Sequence, residues 1–154
     1  VGVVDPDPAR REIALSLGAR FAVASGPDEQ LKPAVTNGFG AHPDIIIVTA
    51  PAVQAAQSAC ALAGSTSRIV LFGMFPKGTV MDTDPNKIHY SELAVMGSES
   101  RTPLDFHTAV CAITRGIVDV KPMVSQVVPL DRVEQALSEA PSVDTMRVVL
   151  SLDD

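Results

Sequence analysis

The sequence predicts an α/β protein whose core is a doubly wound parallel sheet with helices on its faces. Three observations carry that reading. Short apolar, β-branched runs alternate along the chain with helical segments of amphipathic spacing. The run Ile45-Ile46-Ile47-Val48 is continuous and not alternating, as expected of a strand buried on both faces of a parallel sheet. The chain also opens on Val1-Gly2-Val3-Val4-Asp5, an apolar run closed by a carboxylate. In dinucleotide-binding sheets that pattern marks the second strand, and neither a first strand nor a glycine-rich loop stands before it here.

The elements follow in order. After the strand at Val1 to Val4, Asp7 caps a helix that Pro8 opens, Ala9, Ile13 and Leu17 share one face, and Gly18 ends it. A short strand from Arg20 to Val23 precedes a helix over Asp28 to Thr36 and a turn at Asn37-Gly38-Phe39-Gly40. The strand from Asp44 to Thr49 leads to a helix with Val53, Ala56, Cys60 and Ala63 in a stripe, closed by Gly64. Arg68 to Phe72 is a further buried strand ending at Gly73. The stretch from Pro76 to Tyr90 reads as a long connection, and Leu93 to Met96 as a strand closed by Gly97. Thr102-Pro103-Leu104-Asp105 has the form of a capping box, with Phe106, Val110 and Ile113 at helical spacing and Gly116 as the stop. The last unit runs from an extended stretch at Val124 to Val128, through a helix with Val133, Ala136, Leu137 and Ala140 halted by Pro141, into a strand from Met146 to Leu150.

Composition narrows the function classes. Of 154 residues, 12 are basic and 18 acidic, and a net charge of −6 disfavours the phosphate contacts on which nucleic-acid binding rests. No apolar run approaches the ~20 residues needed to cross a bilayer, and the start has neither a basic region nor a long apolar one, so a membrane role and a signal peptide are not expected. A soluble, cytoplasmic chain is the expectation. Cys60 and Cys111 fall inside helices without Cys-x-x-Cys or paired His spacing and read as small core residues. His42, His89 and His107 show no metal-ligand spacing.

Val4-Asp5-Pro6-Asp7-Pro8 with Leu17-Gly18-Ala19, then Arg68 through Met74, His89-Tyr90-Ser91-Glu92-Leu93, Gly97-Ser98 and Lys121-Pro122-Met123, in this order and spacing, resemble the zinc-type medium-chain alcohol and polyol dehydrogenases. The likeness covers nearly the whole chain, and the segment from Gly97 to Phe106 is similar to the sorbitol and threonine dehydrogenase branch. It implies a truncated Rossmann-like domain over residues 1–97 and a segment over residues 98–154 that returns to the catalytic domain. It implies hydride transfer from a secondary alcohol or polyol to NAD, with zinc ligands in the preceding half of a longer parent, no catalytic residue or metal ligand in this chain, and an isolated chain that is inactive.

Site residues carry over by position. Asp5 matches the acid that takes the adenosine ribose hydroxyls, which favours NAD over NADP; a turn or capping role shared with Asp7 is the other reading. Arg10 matches a basic residue beside that ribose, or is simply part of a solvated helix face. Thr49 and Ala50 border the adenine pocket. Phe72, Gly73 and Met74 match the segment whose backbone reads the nicotinamide carboxamide, with Gly73 leaving room for the cofactor ring. Ser98, Glu99 and Ser100 match a second nicotinamide contact, although the polyol branch has an aromatic and a basic residue where Glu99 and Ser100 stand. Arg147 matches a residue that meets the pyrophosphate. Two other readings stay open, a nucleotide-binding or subunit-interaction module without chemistry and part of a zinc-independent quinone reductase.

The strand order 3-2-1-4-5-6 makes the first strand central. Without it the strands at Val1 to Val4 and Asp44 to Thr49 have no shared neighbour, and their open edges are expected to drive the isolated chain toward poor solubility or homo-oligomers.

Overall fold

The computed structural model describes residues 1–138 and 145–152. The chain forms two compact units, Val1–Ser100 and Arg101–Asp154. The first contains β1 (Gly2–Val4), α1 (Pro8–Ser16), β2 (Phe21–Val23), α2 (Asp28–Phe39), β3 (Ile45–Val48), α3 (Val53–Leu62), β4 (Arg68–Leu71), α4 (Pro85–Tyr90) and β5 (Ala94–Gly97). The second contains α5 (Pro103–Thr114), β6 (Val124–Pro129), α6 (Val133–Ser138) and β7 (Arg147–Ser151), with 3-10 turns at Lys121–Met123 and Leu130–Arg132.

Every pairing described is parallel. β1 pairs with β2, β3 with β4 and β4 with β5, in registers that set Val48 beside Leu71 and Leu71 beside Gly97. Among the described residues β1 and β3 do not pair, so the sheet of the first unit stands in two pieces, β1-β2 and β3-β4-β5. In the second unit β6 pairs with β7, with an irregularity between Val124 and Gln126.

The core forms where α3 lies on β3 and β4. Its inward residues are Ala56, Ala59, Cys60 and Ala63, all small, so the helix settles close to the sheet and buries Val48 and Ile69. Ile69 is fully enclosed, worth roughly 1.5–3 kcal/mol of apolar burial. Lys87 from α4 donates to the Ala63 carbonyl at 3.1 Å, placing a cation at the carbonyl end of α3. A second cluster joins Leu31 and Val35 of α2 to Leu62 of α3, with Phe21, Val23, Phe39 and Ile46 packed against it.

Several expectations are corrected. β3 is covered on one face only: Val48 is 5% exposed, but Ile45 and Ile47 are each 60% exposed, because α3 and α4 supply the cover on the Ile46/Val48 side alone. The helix over Asp28 to Thr36 continues to Phe39 in place of a turn. Gly38 lies against the ring of Phe21, where any side chain would collide, and Phe39 packs edge-on against that ring with centroids 4.8 Å apart. Left-handed Gly40 (φ 78°) then ends the helix. The connection after Pro76 contains α4, capped by Asp84 accepting from the Asn86 N–H, with Pro85 at its first position. Gly64 has no left-handed turn; a Cβ there would stand 2.6 Å from the Cβ of His42, whose Nδ1 lies 3.2 Å from the Leu62 carbonyl. α1 begins and ends where expected but has no fully buried residue. Cys60 is in the core, whereas Cys111 is half-buried, its Sγ 3.5 Å from Nε2 of His107. Of the last helix, Ala140 and Pro141 lie outside the described residues.

The capping box at α5 forms in full. Thr102 N–H and Oγ1 both reach Oδ2 of Asp105, at 2.8 and 2.7 Å, while the Asp105 N–H donates to Thr102 Oγ1 at 3.2 Å. These bonds favour the carboxylate and lower the Asp105 pKa, first through the Thr102 backbone and then through its side chain. A lowered folded-state pKa means that the cap's contribution is present above the unfolded value and is lost as pH falls through the folded one. An NMR titration of the Asp105 carboxyl should therefore show a midpoint below the ordinary value of about 3.9, and Thr102→Ala should raise it. An unchanged midpoint in the variant would refute the cap's role.

Candidate cofactor-binding site

In a parallel sheet the carboxyl ends of all strands lie on one edge, the usual place for a ligand. The in-register ladder puts Thr49 and Ala50, Phe72 to Met74, and Ser98 to Ser100 directly after β3, β4 and β5, so these three candidate segments are neighbours. The connections between them are specific. Phe72 and Gly73 both donate backbone N–H groups to the Val48 carbonyl, at 3.0 and 2.9 Å, and the Ser98 N–H donates to the Leu71 carbonyl at 3.1 Å. The Phe72 and Met74 side chains are exposed beside that edge, as are Ser98, Glu99 and Ser100. Ser100 holds a left-handed backbone (φ 61°), a conformation uncommon for a residue with a Cβ.

Gly73 has a packing reason that the sequence did not reveal. A Cβ at this position would stand 2.7 Å from the Thr49 carbonyl oxygen and 2.8 Å from that of Ala50. The glycine therefore lets the end of β4 close against the end of β3, which accounts for it without a cofactor ring.

Asp5 follows β1 and is half-buried. Its Oδ1 accepts the Asp7 N–H at 2.8 Å, and Asp7 Oδ1 accepts the Ala9 N–H at 2.8 Å, so the two acids form successive steps of one turn into α1. Asp5 Oδ2 has no donor among the described residues. Arg10 sits over the same turn, its Nε 3.6 Å from Asp7 Oδ2. Arg11, for which the sequence suggested no role, donates through Nη1 to the carbonyls of Asp5 and Pro6 at 2.7 and 2.8 Å and so fixes the turn that follows β1. Its position one turn into a helix, six residues after Asp5, was the available signal.

The pieces meet in a cavity of about 480 Å3 in the first unit, lined by Gly2, Val4 and Pro6 on one side and by Ile45 through Ala50 on the other. Val4 and Pro6, which flank Asp5 in sequence, line this opening together with the Thr49-Ala50 end of β3. Arg147 starts β7 in the second unit and is exposed. Among the described residues no three His, Cys, Asp or Glu side chains come together to hold a metal. The Cys111-His107 pair supplies two donors, short of the three or four of a zinc site. No described helix is long and apolar enough to cross a membrane.

The sequence profile described as zinc-binding dehydrogenase matches residues 1–115, three quarters of the chain. The chain belongs to the zinc-binding dehydrogenase family. Among relatives, the 2-dehydro-3-deoxy-L-galactonate 5-dehydrogenase of Pseudoalteromonas atlantica is 28% identical over 137 residues, 88% of this chain and 39% of the relative. The D-arabitol-phosphate dehydrogenase of Enterococcus avium is 24% identical over 149 residues, 96% of this chain and 42% of the relative. This zinc-binding dehydrogenase chain thus spans about two fifths of the length of those relatives.

Solved structures agree on the fold. A protein classed as a zinc-binding dehydrogenase from Clostridium scindens superposes with a TM-score of 0.86 at 21% identity, over 99% of this chain and 43% of that one. One from Sinorhizobium meliloti, bound to NADP, gives 0.80 at 21% identity, over 97% and 44%. An alcohol dehydrogenase from Escherichia coli complexed with NADH gives 0.82 at 22% identity, over 99% and 44%. The chain is therefore a partial Rossmann-like α/β fold relative to those structures.

The contact at Gly73 generates a test. Gly73→Ala should destabilise the first unit by about 1–3 kcal/mol, the usual cost of overpacking, read from the urea midpoint. An unchanged midpoint would mean that β3 and β4 can separate freely at their carboxyl ends.

Proposed function

We propose that this chain is the cofactor-binding part of an NAD-dependent zinc-type alcohol or polyol dehydrogenase, with residues 1–97 holding the dinucleotide and residues 98–154 returning to a catalytic domain. The observation that carries the reading is the opening shared by the carboxyl ends of β1 and β3, lined by Val4, Pro6, Thr49 and Ala50, with half-buried Asp5 standing between Val4 and Pro6 in sequence.

The residues present fit a dinucleotide. Asp5 Oδ1 is held by the Asp7 N–H, which orients the carboxylate and leaves Oδ2 to accept from a ribose hydroxyl. A 2′-phosphate would meet that carboxylate as a like charge, which favours NAD over NADP, although one structural neighbour carries NADP and another NADH. Arg10 stands beside the same ribose position. Thr49 and Ala50 border the adenine through main chain and packing. Backbone at Phe72, Gly73 and Met74, and at Ser98, Glu99 and Ser100, lies along one edge and takes the nicotinamide end. Arg147 is assigned to the pyrophosphate. Bound NAD would supply the hydride acceptor.

The substrate class is a small alcohol or polyol, as the names of the two relatives suggest. Polarising the alcohol falls to zinc ligands outside these residues. At the sheet edge the polar side chains offered are those of Thr49, Ser98, Glu99 and Ser100, so the isolated chain is expected to bind cofactor without turnover. The assembled parent is proposed to be a homo-oligomer.

Calorimetry on the 154-residue chain tests the assignment. NAD should bind at least tenfold more tightly than NADP, and Asp5→Ala should lower NAD affinity by about 1.5–3 kcal/mol, the range for a hydrogen bond to a charged group. Equal affinity of the wild type and the variant for NAD would remove Asp5 from the site.

A further inference from the structure

We infer that Arg11 is a positioning residue for the proposed cofactor: acting through the peptide unit between Pro6 and Asp7, it holds the Asp5 carboxylate in the orientation that takes the ribose hydroxyls. The inference rests on the cofactor reading and adds to it a residue that acts on the nucleotide only through Asp5.

Asp5 is fixed from three sides. Its N–H donates to the Val23 carbonyl of β2 at 3.1 Å, its carbonyl accepts from Arg11 Nη1 at 2.7 Å, and its Oδ1 accepts the Asp7 N–H at 2.8 Å. The same Nη1 donates to the Pro6 carbonyl at 2.8 Å. That carbonyl and the Asp7 N–H belong to one peptide unit, and no described peptide bond is cis. In a planar trans unit the two groups point in opposite directions. With the oxygen pinned by Arg11, the N–H on the other side is aimed at Asp5 Oδ1. Guanidinium, peptide and carboxylate thus form a relay, in which donation to the peptide oxygen polarises the unit and strengthens the bond that its N–H gives. Pro6 adds a fixed φ between the two pinned carbonyls.

The place of Arg11 on its helix suits the task. Its own N–H donates to the Asp7 carbonyl at 3.2 Å, one turn into α1, and helical side chains lean back toward the N-terminus, here toward the end of β1. A cation at that end of a helix opposes the macrodipole, and the first turn of α1 carries no acidic residue. Two carbonyls on one nitrogen offset that cost. Among the described residues Arg11 forms no ion pair with Asp5 or Asp7, so the charge of Asp5 and its Oδ2 remain for a ligand. Arg10, in contrast, turns its Nε to Asp7 Oδ2 at 3.6 Å, and the adjacent arginines have separate tasks. A leucine at position 11 could reach neither carbonyl, and a lysine would offer a mobile point charge in place of the rigid planar fork.

The test is a calorimetric titration of NAD into the 154-residue chain and its Arg11→Leu, Arg11→Lys, Asp5→Ala and Asp5→Ala/Arg11→Leu variants, with amide hydrogen exchange on the free chains. Arg11→Leu should lower NAD affinity about three- to tenfold, the scale of ordering one side chain anew on binding. It should also speed exchange at the Asp7 amide by about tenfold or more, with or without NAD. Arg11→Lys keeps the charge and the stem, covers the case in which the leucine variant does not fold, and should fall between wild type and Arg11→Leu on both readouts. In the Asp5→Ala background, Arg11→Leu should change NAD affinity by less than about twofold, because no carboxylate is left to position. Equal losses in the two backgrounds would overturn the inference and make Arg11 a direct ligand or a general support of the fold. An unchanged Asp7 amide in both Arg11 variants would overturn it as well. NAD binding that Asp5→Ala weakens and Arg11→Leu leaves intact would overturn the positioning role alone, whereas a wild-type chain that binds no NAD would overturn the cofactor reading and this role with it.

Discussion

How closely α3 seats on β3 and β4 governs the rest of the first unit. The stripe of Ala56, Ala59, Cys60 and Ala63 leaves no side chain long enough to hold helix and sheet apart. Val48 and Ile69 are sealed beneath it, and the ladder from β3 through β4 to β5 is held in one register. That register is what brings the ends of three strands to a common edge. A bulkier helix face would disturb the spacing of Thr49, Phe72 and Ser98 before it touched any of them.

Local punctuation was legible in the sequence because it is local chemistry. Asp7 with Pro8, Thr102 with Asp105, and the stops at Gly18 and Gly116 each involve groups within a few residues of one another, and the structure shows the caps as read. The strands were legible as β-branched runs, within a residue or two at their ends. What stayed hidden depends on partners far away in sequence. Gly38 reads as a turn residue until Phe21 is seen against it, and Gly73 reads as an opening for a ligand until the Thr49 and Ala50 carbonyls are seen behind it. The exposure of Ile45 and Ile47 was also out of reach, since a continuous apolar run says that a strand can be covered on both faces and not that helices are there to cover it.

Under the proposed function, the carboxylate of Asp5 serves structure and ligand together. One oxygen is committed to the turn into α1, and the carbonyls of Asp5 and Pro6 are gripped by Arg11. The side chain is thereby preorganised before anything binds, which limits the conformational entropy lost when it takes up a partner. The two readings that the sequence held apart, turn former and ribose acceptor, are compatible uses of different oxygens.

Ile46 belongs to the surroundings of both apolar clusters: it packs against the α3 core on one side and against Leu31, Val35 and Leu62 on the other. The break between β1-β2 and β3-β4-β5 interrupts backbone pairing, but this side chain and Leu62 carry the apolar core across it. The two sheet pieces therefore share their stability through side chains, and trimming Ile46 would weaken the cooperativity of unfolding as well as its midpoint, letting β1-β2 and α2 loosen while the α3 core remains intact.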